Sequence, residues 1–351
     1  MHMADALLSP VVGGSMLAAS VVVAAYSIKK TQNELDEKKI PLMGVIGAFV
    51  FAAQMINFAI PGTGSSGHIG GGMLLAILLG PYAGFLTMAS ILMIQALFFG
   101  DGGLLAYGSN VFNLGFFTCF VAYPLIYKWF TRKGISPKRI FWGTLISVVI
   151  GLQLGAFSLV LETLLSGKTE LPFVTFLLLM QPIHLVIGIV EGLITAGVVA
   201  FVWRERPEIL EKTSAGLPLG KVSMKKVLTG LSIAVVVIGG GLSWFASTDP
   251  DGLEWSVEKT GGTTELEASS SIHNVLADIQ SKITFLPDYG FKTSESDNEV
   301  KATAQIEEVW PAVNTGTSVS GIVGGALTLV LAGLTGLIIS LSKKRKEKAT
   351  L

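Results

Sequence analysis

Apolar residues in this chain run in long unbroken stretches, without the alternation of a half-buried strand or the one-sided stripe of a surface helix. Nine such segments can be marked, at roughly 7–27, 42–60, 69–80, 83–99, 104–127, 140–163, 172–202, 227–246 and 319–341. Most approach the ~20 residues a helix needs to cross a bilayer. The third is short and stops at Gly80-Pro81, which a helix cannot run through smoothly. It predicts a helix that ends inside protein, where interrupted backbone is tolerated if it lines a cavity. A polar break at 206–226 divides a front part, 1–205, from a second part, 227–342, and a basic tail, 343–351, closes the chain. The expected fold class is an all-α integral membrane protein: a seven-helix bundle, then a two-helix hairpin whose connection, 247–318, is one large polar loop.

Composition agrees. Half of the 351 residues are hydrophobic, 14% are charged, and the mean hydropathy is +0.63, whereas a soluble domain carries about a quarter charged residues. The net charge is zero, so nothing suggests nucleic acid, and the single Cys119 lies in an apolar run. Neither a disulfide framework nor a thiolate cluster is available. The opening Met1-His2-Met3-Ala4-Asp5 has no Lys or Arg before Lys29, unlike a signal peptide, so it reads as mature protein. Basic residues gather in 28–41, 128–139, 203–226 and the tail, while 61–68, 100–103 and 164–171 hold only Lys168. Basic loops stay cytoplasmic. This puts Met1 and the loop 247–318 outside and the C-terminus inside. The loop carries Asp249, Asp251, Glu254 and Glu258, and His273 within it is expected to be solvated.

The first two residues form a possible ligand set. A free α-amino group on Met1, the amide nitrogen of His2 and the His2 Nδ1 can close a five- and a six-membered chelate ring around one ion. A fourth nitrogen in that plane gives the square-planar geometry diagnostic of Ni(II) or Cu(II). Of the three other histidines, His68 follows Gly62-Thr63-Gly64-Ser65-Ser66-Gly67 on the same side as Met1. Ser65 and Ser66 could orient its imidazole. The competing reading makes His2 a disordered terminal residue, as chain ends often are.

Here the motifs carry a resemblance. Met1-His2-Met3-Ala4-Asp5-Ala6-Leu7-Leu8-Ser9-Pro10 resembles the start of the CbiM/NikM family, the substrate-binding components of energy-coupling factor transporters for cobalt and nickel. Pro61 through Gly72, Ile94 through Ala106, and Asn110-Val111-Phe112-Asn113 are similar to later family motifs, in the same order. The likeness covers about residues 1–205. It implies a transported Ni²⁺ or Co²⁺ held by Met1, His2 and His68, in a prokaryotic cell membrane. It also implies a membrane coupling protein and cytoplasmic ATPase subunits as partners. Asp249-Pro250-Asp251-Gly252-Leu253-Glu254-Trp255-Ser256 resembles the CbiN/NikN accessory component, here fused behind the first module.

Other polar positions are expected to support the site. Gln95, Asn110 and Asn113 suit the pocket wall, Asp101 suits a turn, and His184 with Glu191 suits bracing between helices. Ala48 and Ala52 place two small residues four apart, which permits close helix contact and would suit docking of the coupling subunit. Gly216-Leu217-Pro218-Leu219-Gly220-Lys221-Val222 lacks the spacing and hydroxyl of a phosphate loop, so no nucleotide site is expected on this chain. An ion-gradient permease would use Glu191 for coupling. A membrane metalloenzyme would want a His-Glu-x-x-His pair, and the chain has none.

Overall fold

The computed structural model describes residues 2–34, 36–263, 266, 270–292, 311 and 313–349. It is mostly helical. The front part holds α1 (Pro10–Glu34), α2 (Lys39–Gln54), α3 (Gly72–Leu79), α4 (Pro81–Phe99), α5 (Tyr107–Thr131), α6 (Pro137–Leu165) and α7 (Phe173–Glu205). A short α8 (Pro207–Ser214) leads to α9 (Lys225–Gly240), α10 (Gly252–Gly261), α11 (Ser271–Ile283) and α12 (Thr315–Ala349). Among the described residues, α1, α4, α5, α6, α7 and α12 are long and apolar enough to cross a membrane. The chain is a multi-pass membrane protein.

Local chemistry sets several boundaries. Ser9 Oγ accepts the Val12 N–H at the start of α1, and Ser136 caps α6 with Pro137 in its first turn; both satisfy amides that a helix start leaves open. Gly80 turns through φ +84° between α3 and the Pro81 that opens α4. The outer faces of α1 and α7 expose Val21, Val22, Leu178 and Leu193, as side chains bathed in lipid should be. α9 and α12 approach so closely that a Cβ on Gly321 would lie 2.5 Å from the Gly239 carbonyl oxygen. Glycine is what permits that crossing.

The short third helix appears as expected, with eight residues. At 1.5 Å per residue it covers about 12 Å, under half of a bilayer core of about 30 Å. Its Gly80 end lies beside Glu34 and Lys39, at the basic-loop end of the bundle. Its Gly72 end therefore sits part-way through the bundle, and the chain before it supplies irregular backbone at depth. Residues 42–60 do not form one segment: α2 ends at Gln54, and Phe58–Ile60 (β1) pairs antiparallel with Ser65–Gly67 (β2). That hairpin is buried along β2 and delivers His68 into the protein.

Candidate metal centre

The N-terminal segment is stitched down. Asn110 on α5 accepts the Met3 N–H at 2.7 Å and returns its own Nδ2 to the Met3 carbonyl at 3.2 Å. Gly103 N–H also reaches that carbonyl, and Asp5 Oδ1 accepts the Ala106 N–H at 2.9 Å. Residues 3–5 thus run along the loop 100–106, and the His2 side chain is only 5% exposed. The disordered-terminus reading of His2 does not account for these bonds. Met1 lies outside the described residues.

His68 meets His2 from the other side. Their rings stack with centroids 5.1 Å apart and planes inclined by 17°. Each imidazole faces a carboxylate: His2 Nδ1 is 2.9 Å from Asp101 Oδ1, and His68 Nε2 is 3.9 Å from Asp251 Oδ2. Burial pushes the His68 imidazole down to about 3, keeping it neutral. Burial alone would raise the Asp101 carboxyl, yet the neighbouring His2 ring and the Tyr289 hydroxyl hold it at about 2. A carboxylate beside Nδ1 takes that nitrogen's N–H, which assigns the His2 proton to Nδ1. Nε2 is buried and has no hydrogen-bond partner among the described residues. The nitrogen that the expected chelate would use is thus occupied by Asp101.

The loop after His68 is clamped from below. Glu191 on α7 accepts the Gly70 and Gly71 N–H groups, one on each carboxyl oxygen, both at 2.8 Å. Gly71 has φ +78°, and a Cβ there would lie 2.4 Å from a Val50 methyl, so the position tolerates nothing larger. Gln54 donates to the Gly70 carbonyl at 2.8 Å and accepts from Gln95 at 3.0 Å. Both glutamines are buried.

The second part of the chain packs onto this site. Asp251 caps α10 by accepting the Leu253 and Glu254 N–H groups, with Glu254 returning the bond. The preceding turn lies along β2: Ser66 N–H donates to the Pro250 carbonyl at 2.8 Å, and Ser66 Oγ donates to that of Asp249 at 2.8 Å. Trp255 Nε1 donates to the Thr63 carbonyl at 3.0 Å. Farther on, α11 meets both the loop after α4, with Gln280 donating to the Ala96 and Gly102 carbonyls, and the N-terminal segment, through His273 beside the Asp5 and Leu8 carbonyls. A cavity of about 820 Å³ opens between these parts, lined by His2, His68, Asp101, Asp251, Glu254 and Tyr289 among others.

Several sequence expectations need correcting. His273 is buried rather than solvated, and its Nε2 lies 3.1 and 2.9 Å from the carbonyl oxygens of Asp5 and Leu8. Ser65 and Ser66 donate their hydroxyls to backbone carbonyls instead of steering an imidazole. His184 bonds its own helix, Nδ1 to the Met180 carbonyl at 2.8 Å. Ala48 and Ala52 are buried; the face of α2 around Gly44 and Gly47 packs against Thr328 and Leu329 of α12, so these alanines present no open docking surface. Gln95 donates to Gln54 and to the Tyr289 hydroxyl, and Asn110 holds the Met3 backbone. Asn113 is buried beside Glu162. Sequence reasoning missed Asp101 as the partner of His2, Asp251 as the partner of His68, and Tyr289 altogether. The glycines around Asp101 and the motif that contains Asp251 were the available signals. Among the described residues no group of three or more His, Cys, Asp or Glu side chains is placed to hold a metal ion.

Comparison with known proteins agrees with this layout. Residues 2–209 match the family model described as "Cobalt uptake substrate-specific transmembrane region", and residues 225–341 match the "PDGLE domain". A putative fused nickel transport protein NikMN of Archaeoglobus fulgidus is 36% identical over 234 residues, covering 67% of this chain and 75% of the relative. The fused nickel transport protein NikMN of Rhodobacter capsulatus is 31% identical over 262 residues, covering 70% and 74%. A solved structure of a transition metal transporter superposes with a TM-score of 0.52 at 33% identity, covering 58% of this chain and 93% of that one.

Proposed function

The chain belongs to the CbiM family of cobalt-uptake transmembrane proteins, with a PDGLE domain fused behind it, and from that premise we propose that it captures Ni²⁺ or Co²⁺ for an ATP-driven importer. It is a transport subunit and not an enzyme. In this reading a seven-helix module binds the ion, a two-helix module with a large loop assists, and other chains supply the membrane coupling protein and the ATPases. With the basic loops cytoplasmic, the cavity at His2 and His68 opens to the outside.

The observation that carries the proposal is the pairing of His2 with His68. Residues 66 positions apart bring two buried imidazoles together, 5.1 Å between centroids, beside a cavity walled by carboxylates. With metal–nitrogen bonds of about 2.0 Å, two imidazoles bound side by side on one ion have centroids on the order of 4.5 Å apart. The observed spacing is close to that. The ligands we propose are the Met1 amine, the His2 amide nitrogen and Nδ1, and the His68 imidazole. Chelation through Nδ1 requires the His2 ring to turn about Cβ–Cγ, which brings its Cδ2–Nε2 edge round to Asp101. A further shift of the ring along Asp101 would then give Nε2, unpartnered as it stands, an acceptor there, with Nδ1 facing the ion. A planar four-nitrogen field favours Ni(II).

A gradient-driven permease would need a carboxylate free to exchange protons. Glu191, its clearest candidate, spends both oxygens on the loop after His68. Equilibrium binding tests the proposal: the purified chain should bind Ni(II) or Co(II) stoichiometrically, and His68→Ala should weaken binding at least tenfold. Unchanged affinity in that variant would remove His68 from the ligand set.

A further inference from the structure

Two observations converge on Tyr289, a residue of the second part of the chain. The first is its backbone. Asp288 and Tyr289 are the two non-glycine residues with positive φ among the described residues, at +48° and +59°. Side chains with a Cβ rarely adopt that region, and such strain persists only where surrounding contacts enforce it.

The second observation is what the strained pair achieves. The Tyr289 ring stacks on Phe99, centroids 5.0 Å apart and planes within 19°. Its hydroxyl sits between Gln95, which donates to it at 3.2 Å, and Asp101 Oδ2, to which it donates in a short hydrogen bond. Asp101 uses its other oxygen on His2. Gln95 also donates to Gln54, Gln54 holds the Gly70 carbonyl, and Glu191 holds the Gly70 and Gly71 amides. The two histidines are thereby joined by one continuous set of hydrogen bonds, running from His2 through Asp101, Tyr289, Gln95 and Gln54 to the backbone just after His68. Every side chain between the ends belongs to the front module except Tyr289.

We propose that Tyr289 is a positioning residue for the metal site, through which the second module fixes His2 relative to His68. It touches no metal. It holds Asp101, and Asp101 holds the ring. This rests on the reading of His2 and His68 as ligands, and it gives the fused module a role at the site itself in addition to covering it. A partner that orients a metal-binding histidine typically changes affinity by about 10–100-fold when removed. Tyr289 stands one bond farther away, so the lower end of that range applies.

The test uses the full-length chain in detergent. Tyr289→Phe removes the hydroxyl and keeps the ring against Phe99. Nickel affinity, measured by competition with a chromophoric chelator, should fall about tenfold with the thermal midpoint unchanged. Asp101→Asn should weaken binding more, and the double variant should be no weaker than Asp101→Asn alone, because Tyr289 acts through Asp101. Tyr107→Phe removes another buried hydroxyl, bonded to the Ala89 carbonyl, and should leave affinity intact. Wild-type affinity in Tyr289→Phe, or full additivity in the double variant, overturns the proposal. If the unmodified chain binds neither nickel nor cobalt, the functional reading falls, and nitrogen NMR of ¹⁵N-histidine-labelled protein still decides this inference. A His2 imidazole signal displaced in Tyr289→Phe supports it, and one identical to wild type refutes it.

Discussion

Glu191→Gln separates a structural clamp from a transport carboxylate. Glu191 is 2% exposed and accepts the Gly70 and Gly71 N–H groups, one per oxygen, at 2.8 Å each. Glutamine keeps one acceptor and turns an NH₂ toward the other amide, so one N–H meets a donor. The lost hydrogen bond is worth about 0.5–1.5 kcal/mol, and stranding a buried N–H costs about 1–3 kcal/mol more. The loop has little room to relax, because Gly71 already lies against Val50. A total of about 1.5–4.5 kcal/mol follows, and since about 1.4 kcal/mol is tenfold, half of the middle of that range felt at His68 predicts nickel binding weakened about tenfold. The assays are thermal unfolding in detergent and nickel competition on the same preparations. Stability and affinity should fall together. A variant that keeps both yet no longer supports uptake would refute this reasoning and restore Glu191 as a coupling residue.

Two other outcomes follow from the site. Residues added before Met1 turn its amine into an ordinary amide and misplace the chelate rings, so an uncleaved N-terminal extension, like His2→Ala, should abolish high-affinity metal binding; wild-type affinity in the extended protein would show that the terminus is no ligand. Stability should fall on acidification between about pH 6.5 and about pH 3, because the unfolded chain protonates His68 near 6.5 while the folded one refuses the proton until about 3; thermal melts across that range should be flatter in His68→Ala than in wild type.

The bundle was legible because burial in lipid writes itself into the chain as long apolar runs. The short third helix could be read from Gly80-Pro81 alone. The run 42–60 could not be read so well: nothing in its hydropathy separates the helix ending at Gln54 from the strand at Phe58–Ile60, since both are apolar. The meeting of His2 with His68 could be anticipated from their chemistry and motifs. Their surroundings could not. Asp101 lies 99 residues from His2, and Tyr289 lies 188 from Asp101, and contacts of that range leave no periodic mark. His273 was misread for the same reason: an acidic stretch looks solvated until the carbonyls of Asp5 and Leu8 are seen beside it. Ala48 and Ala52 are buried on a helix whose Gly44 and Gly47 meet the chain's own α12, a contact that small residues four apart do not announce.

The most direct test of the metal site is X-ray absorption on the purified, nickel-loaded chain. Coordination through a backbone nitrogen requires that amide to lose its proton, which becomes favourable when the ion's charge lies beside it and the flanking amine and imidazole anchor the ion. A four-coordinate, planar, all-nitrogen site with imidazole scattering from two histidines, lost in part in His68→Ala, is the predicted result. Six-coordinate nickel with oxygen neighbours, or a carboxylate of Asp101 or Asp251 bound directly to the ion, would contradict it.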